Sequence, residues 1–70
     1  MKLNSEIAGT IWKIEKGVGD AVTTGETILI IESMKMEIPV EAPEAGRVVT
    51  VLVEEGEMVE EGQALVELGA

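Results

Sequence analysis

The order of apolar and polar positions in residues 9–31 is repeated in residues 46–68, without a gap, at an offset of 37. Ile11, Ile14, Val22, Ile28 and Ile31 recur as Val48, Val51, Val59, Leu65 and Leu68, and Gly9, Gly19 and Gly25 recur as Gly46, Gly56 and Gly62. Five apolar pairs and three glycines at one offset mark an internal duplication. The second copy resolves ambiguities in the first. Ile11, Ile14 and Val18 stand at helical spacing, but the counterparts of Ile11 and Ile14 lie in Val48-Val49-Thr50-Val51-Leu52-Val53, a β-branched run that favours a strand. The Glu-rich residues 54–61 suggest a helix, yet their partners, residues 17–24, are rich in glycine and threonine. Both stretches are therefore read as turns with a short strand at Ala21–Val22 and Met58–Val59. The paired glycines supply positive φ or close backbone approach.

The same offset carries residues 2–6 onto residues 39–43, giving each half about four short strands. Two similar halves of short strands predict two small antiparallel sheets packed face to face, in one domain spanning 1–70. The ten paired apolar positions form the shared core. At roughly 1.5–3 kcal/mol per fully buried aliphatic side chain, they can just offset chain entropy. Trp12 faces Val49 in the repeat and is expected to lie half exposed at an edge.

Glu32-Ser33-Met34-Lys35-Met36-Glu37-Ile38 stands outside the repeat, between strand-like residues 27–31 and 37–41. The spacing predicts a tight hairpin with Met34 and Lys35 at its tip. Neither is Gly or Asn, so a primed turn there carries strain, and strain kept without glycine points to the side chains. A charged tip is ordinary surface, but methionine is usually core, and it flanks this lysine on both sides. Position 35 has no repeat mate, since a shift of 37 either way leaves the chain. A two-fold relation between the halves would put the chain ends at one pole and Lys35 at the other.

Composition removes most other functions. The chain has no Cys, His or Tyr, which excludes thiol chemistry and the commonest general base and nitrogen ligand, so no metal site and no enzyme is expected. A formal net charge of −9 opposes nucleic acid and anionic membranes, and the single aromatic residue gives no base-stacking platform. There is no signal-peptide run or membrane-spanning segment, which sets the expectation of a cytoplasmic protein, read as a monomer. Glu54, Glu55, Glu57, Glu60 and Glu61 are read as a solvated turn. Steering toward a basic partner is the functional alternative, and a divalent cation site is disfavoured by spacing.

At this point the residues resemble the biotinyl/lipoyl attachment family over essentially the whole chain, most of all its small stand-alone members in bacilli. Glu32-Ser33-Met34-Lys35-Met36 resembles the biotin attachment signature. Gly9-x-Ile11 and Gly19-Asp20-x-Val22-x-x-Gly25-Glu26-x-Ile28 match the flanking pattern. The resemblance implies an all-β, flattened eight-stranded antiparallel sandwich (a barrel-sandwich hybrid) with quasi-two-fold symmetry. It implies that a biotin protein ligase joins biotin to the Lys35 amine using ATP, with Glu32, Ser33, Met34, Met36 and Glu37 as the flanking motif. The arm would then serve the biotin carboxylase and carboxyltransferase sites of a carboxylase. In lipoyl domains an Asp usually precedes the lysine and a small residue follows, so Met at both positions favours biotin. Some biotinyl domains carry a protruding loop for which the ungapped repeat leaves no room. Lipoate, added by a lipoyl-attaching enzyme for acyl or aminomethyl transfer, is therefore the alternative, and an unmodified interaction module is a third.

Overall fold

The computed structural model describes residues 1–69, and these form strands joined by turns, with no helix. In chain order the strands are β1 (Lys2–Asn4), β2 (Gly9–Ile14), β3 (Ala21–Val22), β4 (Thr27–Ser33), β5 (Met36–Glu41), β6 (Gly46–Val51), β7 (Met58–Val59) and β8 (Ala64–Gly69). They make two antiparallel sheets, ordered β1-β8-β6-β3 and β5-β4-β2-β7. A shift of 37 residues takes β2 onto β6 and β3 onto β7 residue for residue, and starts β8 at the mate of Thr27. Replacing every strand of one sheet by its mate gives the order of the other. The all-β sandwich of two quasi-two-fold halves expected from the sequence is what the chain forms.

The two copies interlock, because each sheet takes two strands from each. Hydrogen bonds between the copies come in mated pairs. Ile11 N–H donates to the Glu57 carbonyl at 2.8 Å, and Val48 N–H donates to that of Asp20 at 2.9 Å. Gly25 N–H donates to the Ala42 carbonyl at 2.8 Å, and Gly62 N–H to that of Ser5 at 2.7 Å. The turn glycines at 19, 25, 56 and 62 have φ between 85° and 93°, the left-handed region that glycine enters without a Cβ clash. Gly9 and Gly46 serve closeness instead. A Cβ on Gly9 would lie 2.5 Å from the Glu32 carbonyl oxygen, and one on Gly46 would collide with the Gly69 carbonyl, the mate of Glu32.

Eight of the ten expected core positions are buried: Ile11, Val22, Ile28, Ile31, Val48, Val59, Leu65 and Leu68. Ile14 and Val51 are only partly buried and pack against that core. They are the last residues of β2 and β6, where the chain leaves the sandwich. Leu29 and Val66 are fully buried and break simple alternation. The ladder slips between Thr27 and Leu29, and again opposite Leu65, so two consecutive side chains turn inward at each place. Trp12 is 48% exposed, but β2 lies inside its sheet and not at an edge. It is the extra residue of a bulge between Ile11 and Lys13, as its mate Val49 is between Val48 and Thr50.

Candidate functional site

Strands β4 and β5 make the hairpin predicted around Lys35. The register runs through Ile31↔Ile38 and Glu32↔Glu37 to Ser33↔Met36, which leaves Met34 and Lys35 as a two-residue turn. Both have positive φ, 53° at Met34 and 64° at Lys35, the only non-glycine residues described that do. That geometry matches the right-handed twist of the flanking strands, and in a two-residue loop it normally selects Asn-Gly. For L-residues with a Cβ the conformation costs about 1–2 kcal/mol each.

The turn carries no packing that would explain this cost. Met34 is 88% exposed and Met36 59%, and Lys35 is exposed between them. Among the described residues the ion pairs are Lys13–Glu15 and Lys16–Glu26, so neither flanking glutamate holds the Lys35 ammonium. Glu32 and Glu37 are both exposed and directly opposite each other, an arrangement of like charges that opposes pairing. Ser33 is half-buried at the neck. Below it, Ile31 is buried at 1% exposure, and β2 approaches so closely at Gly9 that the base of the hairpin is fixed. The site is thus an ammonium on a stiff stalk, bracketed by apolar side chains and an acidic pair.

The far end of the molecule confirms the expected placement. The Met1 ammonium donates to the Leu68 carbonyl at 2.7 Å, and Leu68 N–H donates to that of Met1 at 2.7 Å. Through the two-fold relation this meeting of β1 and β8 corresponds to the β4–β5 hairpin, so Lys35 lies across the axis from it, in a molecule 33 Å long and 17–18 Å across.

Part of the acidic surface has a structural use that the sequence reading missed. Glu57 accepts the Glu54 N–H at 3.0 Å, and Glu55 accepts the Ile14 N–H at 2.9 Å. The mate of Glu57, Asp20, accepts the Gly17 N–H at 2.8 Å, and Glu26 accepts the Thr23 N–H at 3.0 Å. Asp20, Glu26 and Glu57 close turns, with an acidic residue three places after the first turn residue as the signal, whereas Glu55 reaches across to the end of β2. Glu26 also meets Lys16 at 2.9 Å. The hydrogen bond to Lys16 and then the one from Thr23 hold the Glu26 carboxyl below its usual range, while the bond to Glu26 raises Lys16. A second feature the sequence reading missed is a groove of about 510 Å³ between β1 and β5, floored by Leu3, Ile31, Ile38 and Val40. Its walls come from segments far apart in sequence, so no local pattern announces it.

Residues 1–68 match the family model described as "Biotin-requiring enzyme". The chain belongs to the biotin/lipoyl attachment family, whose domains carry a covalently attached biotin or lipoate and are not themselves catalysts. It is 43% identical over 68 residues to the biotin/lipoyl attachment protein of Bacillus subtilis, covering 97% of this chain and 93% of that one. The urea carboxylase of Kluyveromyces lactis contains a similar fold (TM-score 0.89, 41% identity), covering 94% of this chain but 6% of that enzyme. The lipoyl domain of the Azotobacter vinelandii 2-oxoglutarate dehydrogenase complex matches with TM-score 0.85 and 26% identity, over 100% of this chain and 96% of that domain.

Proposed function

We propose that Lys35 is the attachment residue and that biotin is its cofactor, joined as an amide by a biotin protein ligase at the expense of ATP. The domain then carries a carboxyl group, as a monomer, between the biotin carboxylase and carboxyltransferase sites of a carboxylase. The observation that carries this reading is the Met-Lys-Met segment: two exposed methionines flank an exposed lysine, and Met34 and Lys35 themselves hold positive φ. When bound, biotin supplies the ureido nitrogen that takes up and gives back the carboxyl group.

The chain's own residues do the rest. Lys35 Nζ is the nucleophile for amide formation, and its charge is lost in the product. Its exposure gives a ligase free approach, and the closed register below it keeps the turn at a fixed place on the surface. Lysine plus a valeryl chain spans roughly 14 Å by standard bond lengths. The tether holds the headgroup at high effective concentration near whichever active site the domain visits.

Lipoate is the second reading. The ungapped repeat without a protruding loop and the end-to-end likeness to a lipoyl domain favour it. Intact mass separates the two, since biotin and lipoate add different increments. Protein co-expressed with a biotin ligase is expected to gain one biotin and to bind streptavidin, and Lys35→Arg to do neither. Streptavidin capture of the Arg variant would refute the site. A lipoate increment on protein from its natural host would replace the cofactor.

A further inference from the structure

We infer that the groove between β1 and β5 is a resting site for the headgroup carried on Lys35; this rests on the reading of Lys35 as a biotinylated residue. The groove is placed for that use by a break in the internal symmetry. Leu3 and Val40 are repeat mates and both line it, as do the mates Asn4 and Glu41, so it straddles the two-fold axis. Three further lining residues, Ile7, Ile31 and Ile38, lie on the hairpin side. Their mates are Glu44, Leu68 and Met1, which line a separate depression of about 220 Å³ near the chain ends. The groove therefore extends from the axis toward Lys35 and not toward the termini. On that side Ile7 stands where the other half has Glu44.

Reach decides whether the headgroup can enter. Ile38 is three residues from Lys35 on β5, about 10 Å at ~3.4 Å per residue. The arm of roughly 14 Å covers this with no backbone movement. The chemistry also fits. A biotinyl bicycle is apolar except for its urea, and the floor of Leu3, Ile31, Ile38 and Val40 suits the apolar rings. Exposed Lys2 and Asn4 offer donors for the urea carbonyl, and exposed Glu41 offers an acceptor for its N–H groups. A volume of about 510 Å³ lies within the usual range of roughly 300–1,000 Å³ for small-molecule sites. Tethering relaxes the affinity required. A short flexible tether gives an effective concentration on the order of millimolar, so an intrinsic dissociation constant of that order keeps about half of the arms docked.

The test compares unmodified and biotinylated protein, each verified by intact mass, by the NMR shifts of amides and methyl groups. Biotinylation is expected to shift the methyls of Leu3, Ile7, Ile38 and Val40 as well as the turn, with contacts from the headgroup to Ile38. Ile7→Glu copies the residue found at the mated position; Ile7 is partly buried against the core, and a dispersed amide spectrum like that of wild type verifies that the variant is folded. It is expected to remove the groove shifts and to raise the rate of avidin capture about twofold, as docked arms are released. Shifts confined to residues 33–37 in a protein of correct mass would overturn the resting site alone. An unchanged mass after ligase treatment would overturn the attachment reading and the resting site with it.

Discussion

Met34 and Lys35 hold a backbone conformation that most side chains avoid, and nothing beneath them repays it. Met34→Asn keeps the turn but suits positive φ, and Met34 is too exposed for its loss to open a cavity. The variant is expected to be more stable by about 0.5–1 kcal/mol, which in a domain this small raises Tm by several degrees. On the proposed reading, in which a ligase meets Met34 beside Lys35, its biotinylation is expected to slow. A melting curve and a modification time course check both, and an unchanged Tm would mean that the turn is unstrained. The position of this turn was legible from residues 32–38 because strands flank it and no repeat mate competes. Leu29 and Val66 were not legible as core, since alternation cannot register a slip in the ladder. The half exposure of Trp12 was legible, but the bulge in an inner strand that produces it was not, so its placement at an edge failed.

The turns before β4 and β8 show how one element is built twice with different chemistry. Glu26 and its mate Gln63 each accept a backbone N–H three residues upstream, from Thr23 at 3.0 Å and Glu60 at 3.1 Å. Glu26 alone also pairs with a lysine, Lys16, whose mate is the buried Val53. Glu26→Gln should therefore keep the turn and lose only the ion pair. Because folding lowers the Glu26 pKa, its stabilisation is present above the unfolded carboxylate value and is lost as pH falls through the lower folded one. Lys16, raised by the same partner, keeps its share until pH climbs past its ordinary value. Glu26→Gln is expected to melt below wild type at neutral pH and to converge with it in acid, with Glu61→Gln as the control for net charge. A gap in Tm that persists to the most acid pH would reject the pair as its source. The strand assignments themselves were legible because each copy corrected the other: valines settled the first copy, and glycines settled the second.

Neither copy is a folding unit. Within residues 1–34 only β2 and β4 pair with each other, while β1 and β3 have all their partners, β8 and β6, in the second copy. Fragments 1–34 and 35–70 are each expected to be unfolded alone by circular dichroism and to regain β structure when mixed. A cooperative melt from either fragment by itself would contradict this interlocking. The duplication and the sandwich were readable from spacing, but the exchange of strands between halves was not, because an offset of 37 fits separate and interlocked copies equally well.

The handshake between Met1 and Leu68 has a consequence for how such a unit is carried. A polypeptide entering at one residue and departing at the other would cross the same doorstep, so the sandwich can be spliced into a loop of a host enzyme like a cassette. The seam then falls on the side away from Lys35, so insertion leaves the β4–β5 turn clear of the host. That geometry is suited both to a small free-standing chain and to a sliver of a far larger carboxylase such as the one from Kluyveromyces lactis.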